Sequence, residues 1–121
     1  MGQGEPLLNY KNVKKSLEII TNELNYPKWR ITLSTSGIVP LIESVGKDLG
    51  VSLAVSLHAT TDELRNTLVP INKSYNIKEL MGACGKYISH MQNNKQKRIT
   101  FEYVMLQDIN DSIEDAKRLV E

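Results

Sequence analysis

The sequence predicts an α/β fold in which a parallel sheet is linked by crossover helices. Three observations carry the prediction. Segments with apolar residues at helical spacing alternate with short β-branched runs along the whole chain, in the order helix, strand, helix, strand, two helices, strand, helix. The middle run, Val51-Ser-Leu-Ala-Val-Ser56, is apolar enough to be buried on both faces, as parallel strands are. Turn formers and helix stops, Thr35-Ser36-Gly37, Gly50 and Pro70, punctuate the junctions. Three strands are few for such a sheet, and the opening Met1-Gly-Gln-Gly-Glu5-Pro reads as a turn of the kind that follows a strand. The expectation is therefore a fragment of a larger α/β or (β/α) barrel protein, residues 1–121 being one piece of a core domain with no separate second domain.

In chain order, Val13, Leu17, Ile20 and Leu24 recur at helical spacing, so a helix is expected over 10–24, with Asn9 as its cap and Pro27 as its stop. Arg30-Ile-Thr-Leu-Ser34 reads as the first strand. Pro40, Leu41, Ile42 and Val45 give a short helix that Gly50 closes, and the second strand follows to Ser56. Thr60 and Glu63 have capping-box spacing for a helix through Leu64 and Leu68, which Pro70 ends. Asn76 opens a further helix whose apolar face carries Ile77, Leu80, Met81, Cys84, Ile88 and Met91. The polar run 92–98 is a loop, Ile99-Thr-Phe-Glu-Tyr-Val-Met105 a third strand, and Asp111 or Ser112 opens a last helix with Ile113, Ala116 and Val120, inside which the chain is expected to stop.

Composition excludes several classes of function. Fifteen Lys+Arg against 14 Asp+Glu leave a net charge of +1, without the surplus that marks a nucleic-acid binder. No run of about 18 apolar residues is present, nor a charged segment leading into an apolar one, so no membrane association and a cytoplasmic setting are expected. A single cysteine, Cys84, closes no internal disulfide and holds no metal cluster alone. Its place on an apolar helix face marks it as core filling.

Ligands of parallel α/β proteins collect at the carboxyl ends of the strands. There the sequence offers Gly4-Glu5, Ser34-Thr35-Ser36, Ser56-Leu57-His58 and the stretch from Glu102 to Gln107. Glu5 supplies a carboxylate beside two glycines, suited to a cationic amine, although such a run is as often a plain turn. It lacks the lysine and Ser/Thr of a phosphate loop. Ser34 and Ser56 are equally compatible with capping the helices that follow. His58 reads either as a ligand-contacting group or as a structural histidine. With His90 the only other histidine and no partner at ligand spacing, no metal site is expected. The Lys95, Lys97, Arg98 cluster, without interleaved aromatics, reads as a solvated loop.

Several longer segments bring these residues together. Gly4-Glu-Pro-Leu-Leu-Asn9, Arg30-Ile-Thr-Leu-Ser-Thr-Ser-Gly37, Leu53-Ala-Val-Ser-Leu-His-Ala59, Asp62-Glu-Leu-Arg65, Leu68-Val-Pro-Ile-Asn-Lys73, Tyr75-Asn-Ile77 and Phe101-Glu-Tyr-Val-Met-Leu106 closely resemble, in order and spacing, the RlmN/Cfr family of radical S-adenosyl-L-methionine RNA methyltransferases. The Val-Pro-Ile-Asn-Lys run favours the RlmN branch, which methylates carbon 2 of an adenine in 23S rRNA and in certain tRNAs.

The resemblance implies a partial (β/α) radical SAM barrel of six units, with this chain holding three central parallel strands. It also implies that Gly4, Glu5, Ser34, Ser56, Leu57 and His58 contact S-adenosyl-L-methionine, the Gly-Glu-Pro motif gripping the methionine ammonium. In the family a methyl group first passes to a cysteine, and a radical generated from a second adenosylmethionine then drives its transfer to the adenine. The departures are as informative. The CxxxCxxC motif that holds a 4Fe-4S cluster is absent, as are the two catalytic cysteines, and a family asparagine on the cofactor would fall beyond Glu121. The fragment itself is thus expected to be inactive, to carry no catalytic or metal-binding residue, and to self-associate through uncovered barrel edges. The competing reading is a non-catalytic binding or assembly module of RlmN-like sequence, which the reading frame around the segment discriminates.

Overall fold

The computed structural model describes residues 3–91 and 98–120. The polar run expected as a loop lies, except for Arg98, outside the described residues. A short 3₁₀ turn, Pro6–Asn9, leads into α1, Tyr10–Glu18. A 3₁₀ turn at Lys28–Arg30 precedes β1, Thr32–Thr35, which is followed by α2, Val39–Asp48, and β2, Ser52–Ser56. Then come α3, Asp62–Leu68, a 3₁₀ turn at Pro70–Lys73, α4, Ile77–His90, β3, Ile99–Glu102, and α5, Ile113–Arg118.

The three strands form one parallel sheet in the order β1-β2-β3. Ser34 pairs with Ala54 and Ala54 with Thr100; one step on, Ser56 pairs with Glu102. Because spatial order follows chain order with no reversal, successive crossovers advance in one direction, as in a (β/α) barrel, and α2 and α4 pack against one another. Side chains alternate across a strand, so the register assigns a face to each residue. Leu33, Leu53 and Val55 lie on the face that packs under α2 (Ile42, Val45) and α4 (Leu80, Ala83, Cys84, Tyr87), forming one buried cluster. The opposite face carries Thr32, Ser34, Ser52, Ala54, Ser56, Thr100 and Glu102, small or polar throughout. Burying each large apolar side chain contributes about 1.5–3 kcal/mol, so the helices are held on one face and the other is left lined with hydroxyls and a carboxylate.

Several boundaries differ from those expected, each for a local reason. The helix expected over 10–24 turns into a π-helical turn at Ile19–Glu23, where the Leu24 N–H reaches the Ile19 carbonyl and the Thr21 hydroxyl donates to the Leu17 carbonyl. Asn9 stands at the N-cap position of α1 but makes no side-chain cap. Thr61, one residue later than expected, caps α3 through the Leu64 N–H. Thr60 instead donates to Asp115 Oδ1 at 2.5 Å, tying α5 to the β2 exit. The Ser112 hydroxyl, then Thr60, then Arg118 hold the Asp115 carboxyl well below its usual range. Ser112 is the cap of α5, in a capping box with Asp115, and the helix ends at Arg118 within the chain. Asn76 caps α4 in a capping box with Glu79. The buried stripe of α4 is Leu80, Ala83, Cys84 and Tyr87, while Met81 is one-third exposed. The third strand stops at Glu102 rather than Met105, because the Val104 N–H donates to the His58 ring and the Val104 carbonyl accepts from Asn110. No helix among the described residues is long and apolar enough to cross a membrane.

Candidate functional site

Each strand delivers its polar residues to the same end of the sheet, and side chains from elsewhere in the chain fix the exits. At the β1 exit the Glu5 carboxylate accepts from the Thr35 hydroxyl (2.9 Å) and the Leu7 N–H (3.0 Å) through Oε1, and from the Ser36 N–H (2.6 Å) through Oε2. The Thr35 oxygen in turn accepts from the Gly37 N–H at 3.0 Å. Two glycines here are conformational requirements. Gly4 has φ +94° with open space where a Cβ would stand, and Gly37 has φ +112° with Leu80 Cδ1 only 3.1 Å from that position.

At the β2 exit the organising group is Arg65, which is fully buried. Its guanidinium donates to the carbonyls of Ser36 (2.7 Å), Ser56 (2.9 Å) and Leu57 (3.1 Å), and to Asn72 Oδ1 (3.0 Å). At the β3 exit the Glu102 carbonyl accepts from the N–H groups of Leu57 (2.9 Å) and His58 (3.3 Å). The buried Asn110 amide bridges the carbonyls of His58 and Val104.

His58 adopts the left-handed conformation, φ 58°, and its Nδ1 accepts from the Val104 N–H at 3.1 Å. An accepting Nδ1 is unprotonated, so the ring is neutral and Nε2 carries its proton. Burial pushes the His58 pKa below its ordinary value; the charge of Glu102 opposes the shift and that of Arg65 adds to it. Protonation thus opposes folding: the contribution of the neutral ring is complete above the unfolded value of about 6.5 and is lost as pH falls from there towards the folded pKa. Nitrogen-detected NMR titration should find the Nε2–H tautomer at pH 7.5 and a midpoint below 6.5; a midpoint at or above that value would refute the arrangement.

The expected site residues separate into three groups. Gly4 and Ser34 line one cleft of about 290 Å³, together with Pro6, Val13 and Leu17. Ser56 lies on the polar face in register with Glu102, one layer beyond Ser34, and His58 follows at the rim. Glu5 and Leu57 do not line that cleft. Leu57 is buried, its N–H and carbonyl both engaged, and its side chain lines a separate apolar groove of about 390 Å³ with Ile77, Met81 and Phe101. Neither Ser34 nor Ser56 caps a helix; α2 has no side-chain cap and α3 uses Thr61. Cys84 is buried on α4, as expected of core filling, and burial raises its thiol to about 11.

Sequence reasoning missed Arg65, Asn72 and Asn110 as architects of the site. Around α3 the buried positions are Arg65 within the helix and Val69 just after it, whereas Leu64 and Leu68 are half-buried. A reading that follows leucines therefore selects the wrong face of this helix.

Comparison with known proteins places the chain in a family. The profile of the Radical SAM superfamily matches residues 1–120. The chain is 58% identical over 122 residues to a dual-specificity RNA methyltransferase RlmN of Mesorhizobium japonicum, covering 99% of this chain and 29% of that one. It is 54% identical over 123 residues to the RlmN of Acidiphilium cryptum, covering 100% of this chain and 31% of that protein. The chain thus spans about a third of the length of the curated relatives it matches. Among solved structures, a radical SAM methyltransferase from Sphaerobacter thermophilus superposes with a TM-score of 0.89 at 43% identity, over 98% of this chain and 35% of that one. With a parallel sheet wound in one direction, a polar face, converging strand exits and a profile match along nearly its whole length, the chain belongs to the radical SAM superfamily.

Proposed function

We propose that the chain is the central segment of the cofactor-binding domain of an RNA methyltransferase that modifies carbon 2 of adenine in 23S rRNA and tRNA. The observation that carries this reading is the match along 99–100% of the chain, at 54–58% identity, to proteins named as dual-specificity RNA methyltransferases. The superfamily implies S-adenosyl-L-methionine and an iron–sulfur cluster, and the residues present suit the two differently. The sequence has one cysteine, buried and with a raised pKa, so it offers no set of thiolates for a 4Fe-4S cluster.

The donor set does suit adenosylmethionine, which supplies the methyl group when bound. The Glu5 carboxylate has about four lone-pair sites, of which three are used by Leu7, Thr35 and Ser36, leaving one edge for an ammonium beside the open Gly4 backbone. The Ser34 and Ser56 hydroxyls offer partners for carboxylate or ribose oxygens, and His58 Nε2–H is a fixed donor at the rim. The contribution of this chain is orientation: hydrogen-bonding groups preset on rigid strand ends, with the chemistry left to the cofactor.

Calorimetry of the isolated 121-residue chain should show adenosylmethionine binding weakly or not at all, whereas the whole protein binds it and forms 2-methyladenine on both RNAs. In the whole protein, combined Ser34→Ala and His58→Ala substitution should reduce that binding. Sub-micromolar binding by the isolated chain, or whole protein that leaves both RNAs unmodified, would overturn the reading.

A further inference from the structure

Arg65 is the least expected group in the molecule. It is 0% exposed, yet among the described residues no carboxylate stands within ion-pair distance of it. Its counter-charge is relayed: Asn72 Oδ1 accepts from Arg65, while Asn72 Nδ2 donates to Asp62 Oδ1 at 2.9 Å, which also accepts from the Ile77 N–H. A buried cation of this kind is a poor way to gain stability, because its desolvation offsets most of what its hydrogen bonds return, and apolar side chains of similar volume often do as well or better. The acceptors it selects are informative. All three backbone carbonyls belong to strand exits, Ser36 after β1 and Ser56 and Leu57 at the end of β2. The Ser36 residue is gripped from both sides, its N–H by Glu5 and its carbonyl by Arg65. One continuous polar chain thus runs from the Gly4–Glu5 turn through Ser36 and Arg65 to Leu57 and on to the Glu102 carbonyl of β3.

We propose that Arg65 is a positioning residue for adenosylmethionine: its planar guanidinium sets the spacing of the β1 and β2 exits, so that Glu5, Ser34, Ser56 and His58 meet the ligand together. This inference rests on the proposed function. Lysine is the informative replacement, because a single ammonium keeps the charge but does not reproduce the fork that spans three carbonyls and Asn72. In the whole protein, Arg65→Lys should weaken adenosylmethionine binding, measured by equilibrium dialysis, by about ten- to a hundredfold, the scale on which small misplacements of site groups act. It should also speed hydrogen exchange at the amides of Gly37, Leu57 and His58, which share peptide units with the three clamped carbonyls. Asn72→Ala, which frees one arm and retains Arg65, should produce the same pair of effects in milder form and serves if the lysine variant does not fold. Val45→Ala, in the helix–sheet core away from the clamp, should lower the melting temperature while leaving affinity unchanged. Folded Arg65→Lys and Asn72→Ala proteins that bind with wild-type affinity would overturn the inference alone. Wild-type whole protein that binds no adenosylmethionine would overturn the proposed function as well, and faster exchange in Arg65→Lys would then mark the clamp as structural only.

Discussion

Glu5→Gln should lower the melting temperature by about 10 °C and weaken adenosylmethionine binding, although the substitution changes neither size nor shape. The reason lies in donor and acceptor counting. Both carboxylate oxygens accept, Oε1 from Leu7 and Thr35 and Oε2 from Ser36. A carboxamide keeps one accepting oxygen and places an NH₂ group where the other stood. If the oxygen faces Leu7 and Thr35, the NH₂ confronts the Ser36 N–H; if it faces Ser36, the NH₂ confronts two donors. The Thr35 hydroxyl offers only partial relief: beside the bond it accepts from the Gly37 N–H it has a second lone pair for that NH₂, but its proton then loses Glu5 and the Leu7 N–H still confronts a donor. Hydrogen bonds to a charged group are worth about 1.5–3 kcal/mol each, and a stranded half-buried donor costs about 1–3 kcal/mol, so a net loss of about 2–3 kcal/mol is expected. Glu5→Asp is the control: it keeps the charge and both acceptors on a shorter arm, and should cost less in stability than in affinity. A Glu5→Gln protein that melts within a degree or two of wild type would show that these bonds do not hold the turn against β1.

What the sequence revealed, and what it concealed, follows from the range of the interactions involved. The helices over 39–48 and 77–90 were legible because their signals are local: apolar spacing, Gly50 at one end, and Asn76 at the start of the other. Parallel strands were legible from their alternation with helices. The polar residues at the strand ends were legible as candidates because the topology alone delivers Ser34, Ser56 and the Gly4–Glu5 turn to one end of the sheet. Their fixing was not legible. Arg65 bonds to residues 8, 9 and 29 positions away, and Glu5 to residues 30 and 31 positions away. Nothing in the local pattern of either segment announces a partner at that distance. Thr60 illustrates the same limit within one turn of chain: Thr60 and Thr61 are both competent caps, and only the arrival of Asp115 from α5 decides that Thr60 is otherwise engaged. The third strand was overextended because Tyr103, Val104 and Met105 have strand-forming side chains, while the groups that draw their backbone off the sheet, His58 and Asn110, lie on other segments.

The packing of α2 on α4 offers the sharpest test of the core, at Gly46. A Cβ placed there would stand 3.0 Å from Tyr87 Cδ2 and 3.4 Å from Cε2. Such a clash is tolerable only if the ring gives way, and this ring is held at both ends. Its Cα belongs to α4, 3.6 Å from the same point, and its hydroxyl donates to the carbonyl of Val51, the residue just before β2, inside a fully buried environment. Two effects compete in Gly46→Ala. Alanine favours the helix by about 1 kcal/mol over glycine, and overpacking costs about 1–3 kcal/mol, so a net loss of about 1 kcal/mol is expected. Valine removes the ambiguity, since β-branching weakens the helical advantage and either γ-carbon approaches the ring. Gly46→Val should cost about 3 kcal/mol or more, a large part of the 5–15 kcal/mol that holds a domain of this kind together. Tyr87→Leu removes the obstructing ring edge along with its hydrogen bond, so it destabilises alone yet relieves the valine. The double variant should therefore be less damaged than the sum of the two, by about 0.5–3 kcal/mol in urea unfolding. Strict additivity, or a Gly46→Val protein with an unchanged unfolding midpoint, would mean that the helices settle apart without strain. The site would register any such separation, because Leu80 of α4 lies against Gly37 in the turn that Glu5 and Arg65 hold in place.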